Sequence, residues 1–151
     1  MTERKAEHAD LKVLAKTFSL LASELEETLH SLNVCVFEPG AVVLKEGETG
    51  TSVYVALKGK FSVRKSRWIF SSKEVARLGP GDLFGEIGFL VPTTRSASII
   101  AEGPCEAARI VLADFKELLA RHCELQARIE EMARRRLYSL AASDQPCVIE
   151  S

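Results

Sequence analysis

The stretch that begins at residue 34 constrains the fold most, because it alternates apolar and polar residues in short runs that turn residues interrupt. Alternation of this kind is typical of a strand with one buried face. Gly79-Pro80-Gly81-Asp82 is the clearest of the turns. About eight such runs, separated by turns, predict a closed roll, jelly roll or barrel. The clearest runs are Ser52–Leu57, Phe61–Arg64, Ser96–Ala101 and Glu106–Val111.

Residues 1–33 carry the pattern of helices rather than strands. Apolar residues recur there every three or four positions, which places them on one face of a helix. Ser23 followed by Glu26 matches a capping box, so the segment should divide into two helices near residue 22. We expect the apolar face to pack on the rest of the domain, because the repeat is too short for a coiled coil. Its members are Leu11, Leu14, Phe18, Leu21, Leu25, Leu29 and Leu32.

Residues 114–141, after the roll at 34–113, are also predicted to be helical, and residues 142–151 to form a flexible tail. Asp114 can cap the first of these helices, and a longer one follows that reaches Leu140. Glutamate–arginine pairs four residues apart indicate an exposed face on the longer helix. They are Glu124/Arg128, Glu130/Arg134 and Glu131/Arg135.

Composition and charge exclude several functional classes. The 151 residues hold 20 Lys plus Arg and 21 Asp plus Glu, and the net charge of -1 argues against a broad surface for nucleic acid or anionic lipid. No apolar run approaches the ~20 residues of a membrane span. The start of the chain is too polar for a secretory signal. Four scattered cysteines favour reduced thiols over disulfides or a zinc site. We expect a single cytoplasmic domain.

Metal and catalytic chemistry are not predicted either. The histidines, His8, His30 and His122, lie outside the predicted strands, so a metal-binding roll would lack its ligands. No arrangement of nucleophile, histidine and carboxylate, and no pair of carboxylates, is assembled by the pattern. We therefore expect that the protein is not an enzyme and has no metal and no cofactor.

Residues 84–98 hold the densest group of chemically useful residues. Glycines there allow close approach of the backbone, and residues 86–90 can form one helical turn whose first N–H groups attract an anion. Arg95 offers a planar fork that suits a phosphate. The Glu86 carboxylate can accept hydrogen bonds from sugar hydroxyls. An anion seat beside a hydroxyl acceptor fits a ligand that contains both phosphate and sugar.

This stretch resembles the phosphate-binding cassette of the cyclic-nucleotide-binding domain family, which includes the bacterial catabolite activator protein and the regulatory subunit of protein kinase A. The likeness extends from about Phe18 to Leu140. A full cassette in register after such a roll is a specific pattern. The resemblance implies a mainly β fold, an antiparallel, jelly-roll-like β-roll with N-terminal and C-terminal helices. The residues outside the cassette that carry the likeness are Pro39-Gly40, Glu46-Gly47, Gly50, Tyr54, Gly59 and Gly79-Pro80-Gly81-Asp82.

The resemblance implies a role for each cassette residue. Glu86 would accept the ribose 2′-hydroxyl, and Gly85 with neighbouring N–H groups would help to hold ribose and phosphate. Arg95 would pair with the exocyclic phosphate oxygens, and Ser96 with the Ala97 amide would complete the phosphate seat. The expected ligand-binding set is therefore Phe84, Gly85, Glu86, Ile87, Arg95, Ser96 and Ala97.

The family's base usually contacts apolar roll residues and a lid on the last helix, for which Arg135, Arg136 and Tyr138 are the candidates. Ser96 places a hydroxyl directly after the cassette arginine. Members that favour cGMP usually have Thr there, whereas bacterial members that bind cAMP often have Ser. The resemblance thus favours cAMP over cGMP, and implies that ligand binding switches the position of the C-terminal helix.

The output of such a switch would lie in a partner protein, in a homodimer along the C-terminal helix, or in a part absent from this chain. The chain ends about ten residues after the predicted helix, too few for a helix-turn-helix domain, so we expect no direct DNA binding. Two alternatives stay open, an interaction or dimerisation module with a vestigial nucleotide pocket and a receptor for another phosphorylated effector such as a cyclic dinucleotide. In the plainest interpretation, Arg95 and Glu86 form an exposed ion pair that contributes ~0–1 kcal/mol.

Overall fold

The computed structural model describes residues 2–68, 71–86, 95 and 97–143. Within these ranges, the strands are β1 (Thr2–Lys5), β2 (Asn33–Phe37), β3 (Val42–Leu44), β4 (Ser52–Lys58), β5 (Phe61–Trp68), β6 (Ser71–Leu78), β7 (Leu83–Phe84), β8 (Ser98–Ala101) and β9 (Cys105–Val111). The helices in the same ranges are α1 (His8–Phe18), α2 (Ala22–Thr28), α3 (Leu112–Arg121) and α4 (Cys123–Ser143).

The strands form two sheets. The first has the order β1-β2-β9-β4-β7 and the second the order β3-β8-β5-β6. Neighbouring strands are antiparallel in both sheets. This architecture, with helices before and after the strands, confirms the predicted antiparallel β-roll.

The first sheet separates two apolar clusters, because alternate residues of its strands point to opposite faces. Val34 and Ala108 belong to the cluster that also contains apolar residues of all four helices. Their neighbours Cys35 and Ala107 belong to the cluster inside the roll, which includes residues of the second sheet. The helices therefore cover one face of the first sheet, and the second sheet covers the other. This arrangement places β7, the strand that leads into residues 85 and 86, in the interior.

A strand at β1 is the main departure from the sequence prediction, which placed residues 1–33 in helices. β1 pairs along its whole length with β2. Arg4 in this strand donates to Asp10 at 2.8 and 3.0 Å and to Glu106 at 2.7 Å. Backbone pairing and ion pairs hold β1, so a polar sequence with no apolar alternation forms a strand here.

Two of the predicted helix caps are also wrong in detail. α2 begins where a break was expected, but the Leu21 N–H donates to Glu24 Oε1 at 2.9 Å, two residues before the predicted Ser23 cap. Asp114 lies in the first turn of α3 instead of capping it. Its Oδ2 accepts the Ser31 N–H at 3.3 Å and so connects α3 to the segment before β2.

The hairpin of β5 and β6 is longer than the sequence indicated. The alternating run recognised in the sequence ends at Arg64, yet β5 continues through the polar residues that follow to Trp68. Lys65 and Ser66 pair there with Lys73 and Ser72 of β6. Cross-strand hydrogen bonding extends this hairpin beyond the residues of β5 that pair with β8, which end at residue 64.

α4 is the long final helix that the sequence predicted, and it extends to Ser143. Residues 144–151 of the predicted tail lie outside the described residues. Among the parts of the chain that are described, no helix is both long and apolar enough to span a bilayer. The predicted ion pairs found on α4 are Glu130–Arg134 at 3.9 Å and Glu131–Arg135 at 3.6 Å.

Arg128 of α4 makes a different contact from the predicted pair with Glu124. Its Nη2 donates to the carbonyl oxygen of Phe18 at 2.8 Å, and its Nη1 donates to Ser19 Oγ at 3.2 Å. Ser19 is the left-handed C-cap of α1. Arg128 thereby stabilises the carbonyl end of α1, which carries a partial negative charge.

Candidate functional site

The first residues of the predicted cassette lie at the end of β7. Phe84 pairs with Tyr54 of β4 and is buried, and the two rings are stacked with centroids 5.2 Å apart. Burial raises the pKa of the Tyr54 hydroxyl. Gly85 follows with a φ of 84°, a conformation that side chains with a Cβ disfavour. The chain therefore turns at Gly85 and directs residue 86 away from the strand.

Glu86 is a buried carboxylate paired with the last helix. Only 1 % of the residue is exposed. Arg136 Nη1 lies 2.6 Å from Glu86 Oε1, and the same nitrogen donates to the carbonyl oxygen of Leu83. A buried carboxylate is costly unless it is paired and hydrogen-bonded, so this contact satisfies Glu86 and attaches α4 to the cassette. Arg136, one of the three lid candidates, thus reaches the site.

Arg95 is half-buried and bonded to the backbone. Its Nη1 donates to the carbonyl oxygen of Gly85 at 3.0 Å, and its Nη2 donates to that of Ser52 at 2.8 Å. Burial lowers the pKa of Arg95, because the charged form loses hydration, although Tyr54 and Glu86 act in the opposite direction. Among the described residues, no carboxylate lies within 4 Å of its nitrogens. The structure therefore does not contain the exposed Arg95–Glu86 ion pair that the plainest interpretation of the sequence suggested.

The loop between β3 and β4 holds the backbone of Arg95. The Arg95 N–H donates to the carbonyl oxygen of Glu48 at 2.7 Å, and the Gly47 N–H donates to the carbonyl oxygen of Arg95 at 2.9 Å. The sequence pattern does not predict this contact between the loop and the cassette. A hydrogen bond between main-chain groups nearly fifty residues apart leaves no residue-type pattern that could predict it.

The structure shows fewer contacts for the remaining predicted site residues. Ala97 is buried just before β8. Ile87 and Ser96, and with them the predicted helical turn at 86–90 apart from its first residue, lie outside the described residues. Arg135 pairs with Glu131, and Tyr138 is 79 % exposed, whereas Arg136 is the lid candidate that bonds to the cassette.

The described site combines a half-buried cation with a buried carboxylate at the end of one strand. Such a pair can bind a ligand that presents an anion to Arg95 and a hydroxyl group to Glu86. Among the residues that the structure describes, no group of three or more His, Cys, Asp or Glu side chains could hold a metal ion. In its chemistry, the arrangement suits a ligand that carries both an anion and a hydroxyl group.

Comparisons with known proteins identify the family. A model described as cyclic nucleotide-binding domain matches residues 34–122. A cGMP-dependent protein kinase of Eimeria tenella is 32% identical over 130 residues, which cover 81% of this chain and 12% of the kinase. A cAMP-dependent protein kinase regulatory subunit of Mycosarcoma maydis is 30% identical over 98 residues, which cover 65% of this chain and 18% of that subunit.

A solved structure with a similar fold is the regulatory domain of Toxoplasma gondii PKA in a co-crystal with cAMP. Its TM-score is 0.72 at 26% identity, over 83% of this chain and 48% of that chain. The chain spans only 12% and 18% of the length of these two curated relatives.

Proposed function

The chain belongs to the cyclic nucleotide-binding domain family, and we propose that it is a regulatory receptor for a cyclic nucleotide, with cAMP favoured over cGMP. The ligand would bind through its cyclic phosphate and ribose to residues 84–87 and 95–97. The protein would act by changing the position of α4 and not by catalysis. We place it in the cytoplasm.

The state of Arg95 carries the proposal. Its guanidinium is removed from water far enough to lower its pKa, and its described partners are two neutral carbonyl oxygens. A cyclic phosphate would place a negatively charged partner next to this guanidinium. Hydrogen bonds from the guanidinium to the phosphate would be shorter and stronger than those to the carbonyl oxygens. Ser96 and the Ala97 amide would complete the phosphate seat, as the family resemblance implies.

Glu86 supports the ribose half of the proposal. Its carboxylate can accept a hydrogen bond from the 2′-hydroxyl. Glu86 directly follows Gly85, whose carbonyl oxygen accepts a hydrogen bond from Arg95. In the structure, one of its oxygens is bound by Arg136 of α4. A ribose hydroxyl that enters this site would compete with Arg136 for the carboxylate or change its position.

We place the switch at this contact between Glu86 and Arg136. Because Arg136 also donates to Leu83, the C-terminal part of α4 is attached to β7 and the cassette together. A ligand that changes these bonds would bias the helix between two positions. The consequence would be transmitted to a protein effector, or through a homodimer formed along α4. The base would lie near the lid candidates Arg135, Arg136 and Tyr138.

Calorimetric titration with cAMP and with cGMP tests this function on protein freed of carried-over ligand. We expect binding with a Kd of about 1 μM or tighter, roughly -8 kcal/mol, and tighter binding of cAMP. Arg95→Leu should weaken the binding by about 2–5 kcal/mol, which is roughly 30-fold to several thousand-fold in affinity. Arg121→Leu is the matched control, because Arg121 is exposed and pairs with Glu117 of its own helix, α3.

The other possible results distinguish the alternatives. No heat with either nucleotide, in protein shown to be folded, would contradict the receptor function and favour an interaction module with a vestigial pocket. Heat with a cyclic dinucleotide alone would assign a different phosphorylated effector. Tighter binding of cGMP would keep the receptor and correct its base preference.

A further inference from the structure

Gly50, in the loop between β3 and β4, lies against the guanidinium of Arg95. A Cβ placed on Gly50 would be 2.0 Å from Arg95 Cζ, 2.0 Å from Nη2 and 2.1 Å from Nε. Real Cβ atoms essentially never approach another heavy atom within 3.0 Å. Arg95 can therefore occupy its observed position only if residue 50 has no side chain.

Space, and not backbone conformation, accounts for glycine at this position. The φ of Gly50 lies outside the left-handed region, so an L-residue could adopt its backbone conformation. In this it differs from the glycines with positive φ, where glycine is favoured by conformation alone. Those are Gly40, Gly47, Gly59, Gly81 and Gly85.

The atom that a methyl group would strike is the end of a flexible side chain. Arg95 could relieve the overlap by rotating away, at little cost to the folded state. It would then lose its hydrogen bonds to the carbonyl oxygens of Ser52 and Gly85, at 2.8 and 3.0 Å. The backbone bonds of Arg95 to Gly47 and Glu48 would be unaffected, because they do not involve the guanidinium.

We propose that Gly50 is a positioning residue for the anion of the ligand, which it does not itself need to contact. Because residue 50 has no side chain, the guanidinium can reach the carbonyl oxygens of Gly85 and Ser52. These two hydrogen bonds fix the orientation of the guanidinium. This inference rests on the proposed function for its effect on nucleotide binding. The position of Arg95 itself can be tested without any nucleotide.

The binding test compares Gly50→Ala with Gly103→Ala. Gly103 also lacks a positive φ, and a Cβ there would have no atom within 4 Å, which makes it the matched control. We expect Gly50→Ala to weaken cAMP binding at least about 30-fold in calorimetry, a loss typical of a misplaced charge partner. Gly103→Ala should bind as the natural sequence does. Gly50→Ala binding within about threefold of the natural sequence would overturn the inference.

A double variant shows whether Gly50 acts through Arg95. Gly50→Ala combined with Arg95→Leu should bind no more weakly than Arg95→Leu alone, because the guanidinium is already gone. A further loss in the double variant would mean that Gly50 acts by another route. If Gly50→Ala lowers thermal stability, Arg95→Ala should restore it by removing the overlapping group. Failure to restore it would also overturn the inference.

Side-chain NMR of the nucleotide-free protein separates this inference from the proposed function. The Nε–Hε resonance of Arg95, assigned by its loss in Arg95→Lys, should shift in Gly50→Ala and stay in place in Gly103→Ala. That result would support the role of Gly50 even if the natural sequence failed to bind either nucleotide. An unshifted resonance would overturn it even if nucleotide binding were established.

Discussion

Arg4 and Arg95 are both partly buried arginines, but they have opposite surroundings. Arg4 donates to two carboxylates, Asp10 and Glu106, and the hydrogen bond with Asp10 is the main reason that its pKa is raised. Arg95 donates to carbonyl oxygens, and burial lowers its pKa. One guanidinium is charge-compensated within the fold, and the other is held in place without an opposite charge in contact with it among the described residues.

We infer from this difference that Arg4 belongs to a structural ion pair and that Arg95 is available as a binding group. A guanidinium already paired with carboxylates gains little from another anion, since its charge and donors are satisfied. A guanidinium fixed by dipoles keeps its electrostatic attraction for a ligand, at some cost to the stability of the free protein. Of the two, we expect Arg4 to matter for folding and Arg95 for binding.

Arg95→Leu should produce the largest effect, and on affinity alone. We expect nucleotide binding to weaken by about 2–5 kcal/mol, because a ligand phosphate would enter the site without its counter-charge. Arg95→Lys should also lose much of the affinity, since a point charge cannot reproduce the planar fork. Urea unfolding should show little loss of stability in either variant. A large loss of stability would mean that Arg95 resembles Arg4 after all.

Arg4→Met should lower the stability of the folded protein and leave nucleotide affinity unchanged. This effect should be smaller than that of Arg95→Leu on affinity. Removing the guanidinium leaves Asp10, which is buried, without its charge partner, and we expect unfolding in urea to become easier by about 1–3 kcal/mol. Lys16→Met, which removes a positive charge in the last turn of α1, is the control. Nucleotide affinity of folded Arg4→Met should equal that of the natural sequence. A parallel loss of affinity would contradict the division between the two arginines.

Arg136→Met tests an arginine that belongs to both categories, because it pairs with the buried Glu86 and lies at the site. We expect a local effect of about 1–2 kcal/mol, seen as faster amide exchange in the C-terminal part of α4. Exchange in α1 and in the sheets should stay unchanged. Uniform acceleration throughout the protein would show that the contact supports the whole fold rather than the end of one helix.

The pH dependence of stability should show the smallest effect. The hydrogen bond from Arg4 holds the pKa of Asp10 below its ordinary value. The stabilisation is therefore present above the unfolded-state pKa of about 3.9 and is lost as the pH falls through the lower pKa of the folded state. Asp10→Asn should flatten this acid limb in urea titrations. An unchanged acid limb in that variant would assign it to other carboxylates.

The sequence predicted what residue types encode and missed what the backbone supplies. The turn residues and alternation of the roll, and Glu86 and Arg95 in the cassette, are visible as side chains in a pattern. β1 was not visible, because its polar residues are held by partners such as Glu106 that lie about a hundred positions away. The carbonyl oxygens of Ser52 and Glu48 that hold Arg95 could not be predicted, since every residue type provides one.

The last helix was predicted to exist but not to touch a particular residue. Arg135, Arg136 and Tyr138 were equivalent candidates in the sequence, because a shift of one residue rotates a helical side chain by about 100°. Packing of α4 through Leu125, Ile129 and Ala133 sets its rotation, and this brings Arg136 to Glu86.

Two arginines of α4 contact other parts of the protein at different points along the helix, which bears on the proposed switch. Arg128 fastens the helix to the end of α1, and Arg136 fastens it to the cassette, eight residues or about 12 Å further along the axis. If the contact at Arg136 opens while that at Arg128 holds, the helix can tilt about the end of α1. A tilt of about 10° would displace the Arg136 turn by about 2 Å, enough to break a hydrogen bond there. In the proposed switch, one ribose hydroxyl that displaced Arg136 from Glu86 would therefore move the C-terminal end of α4.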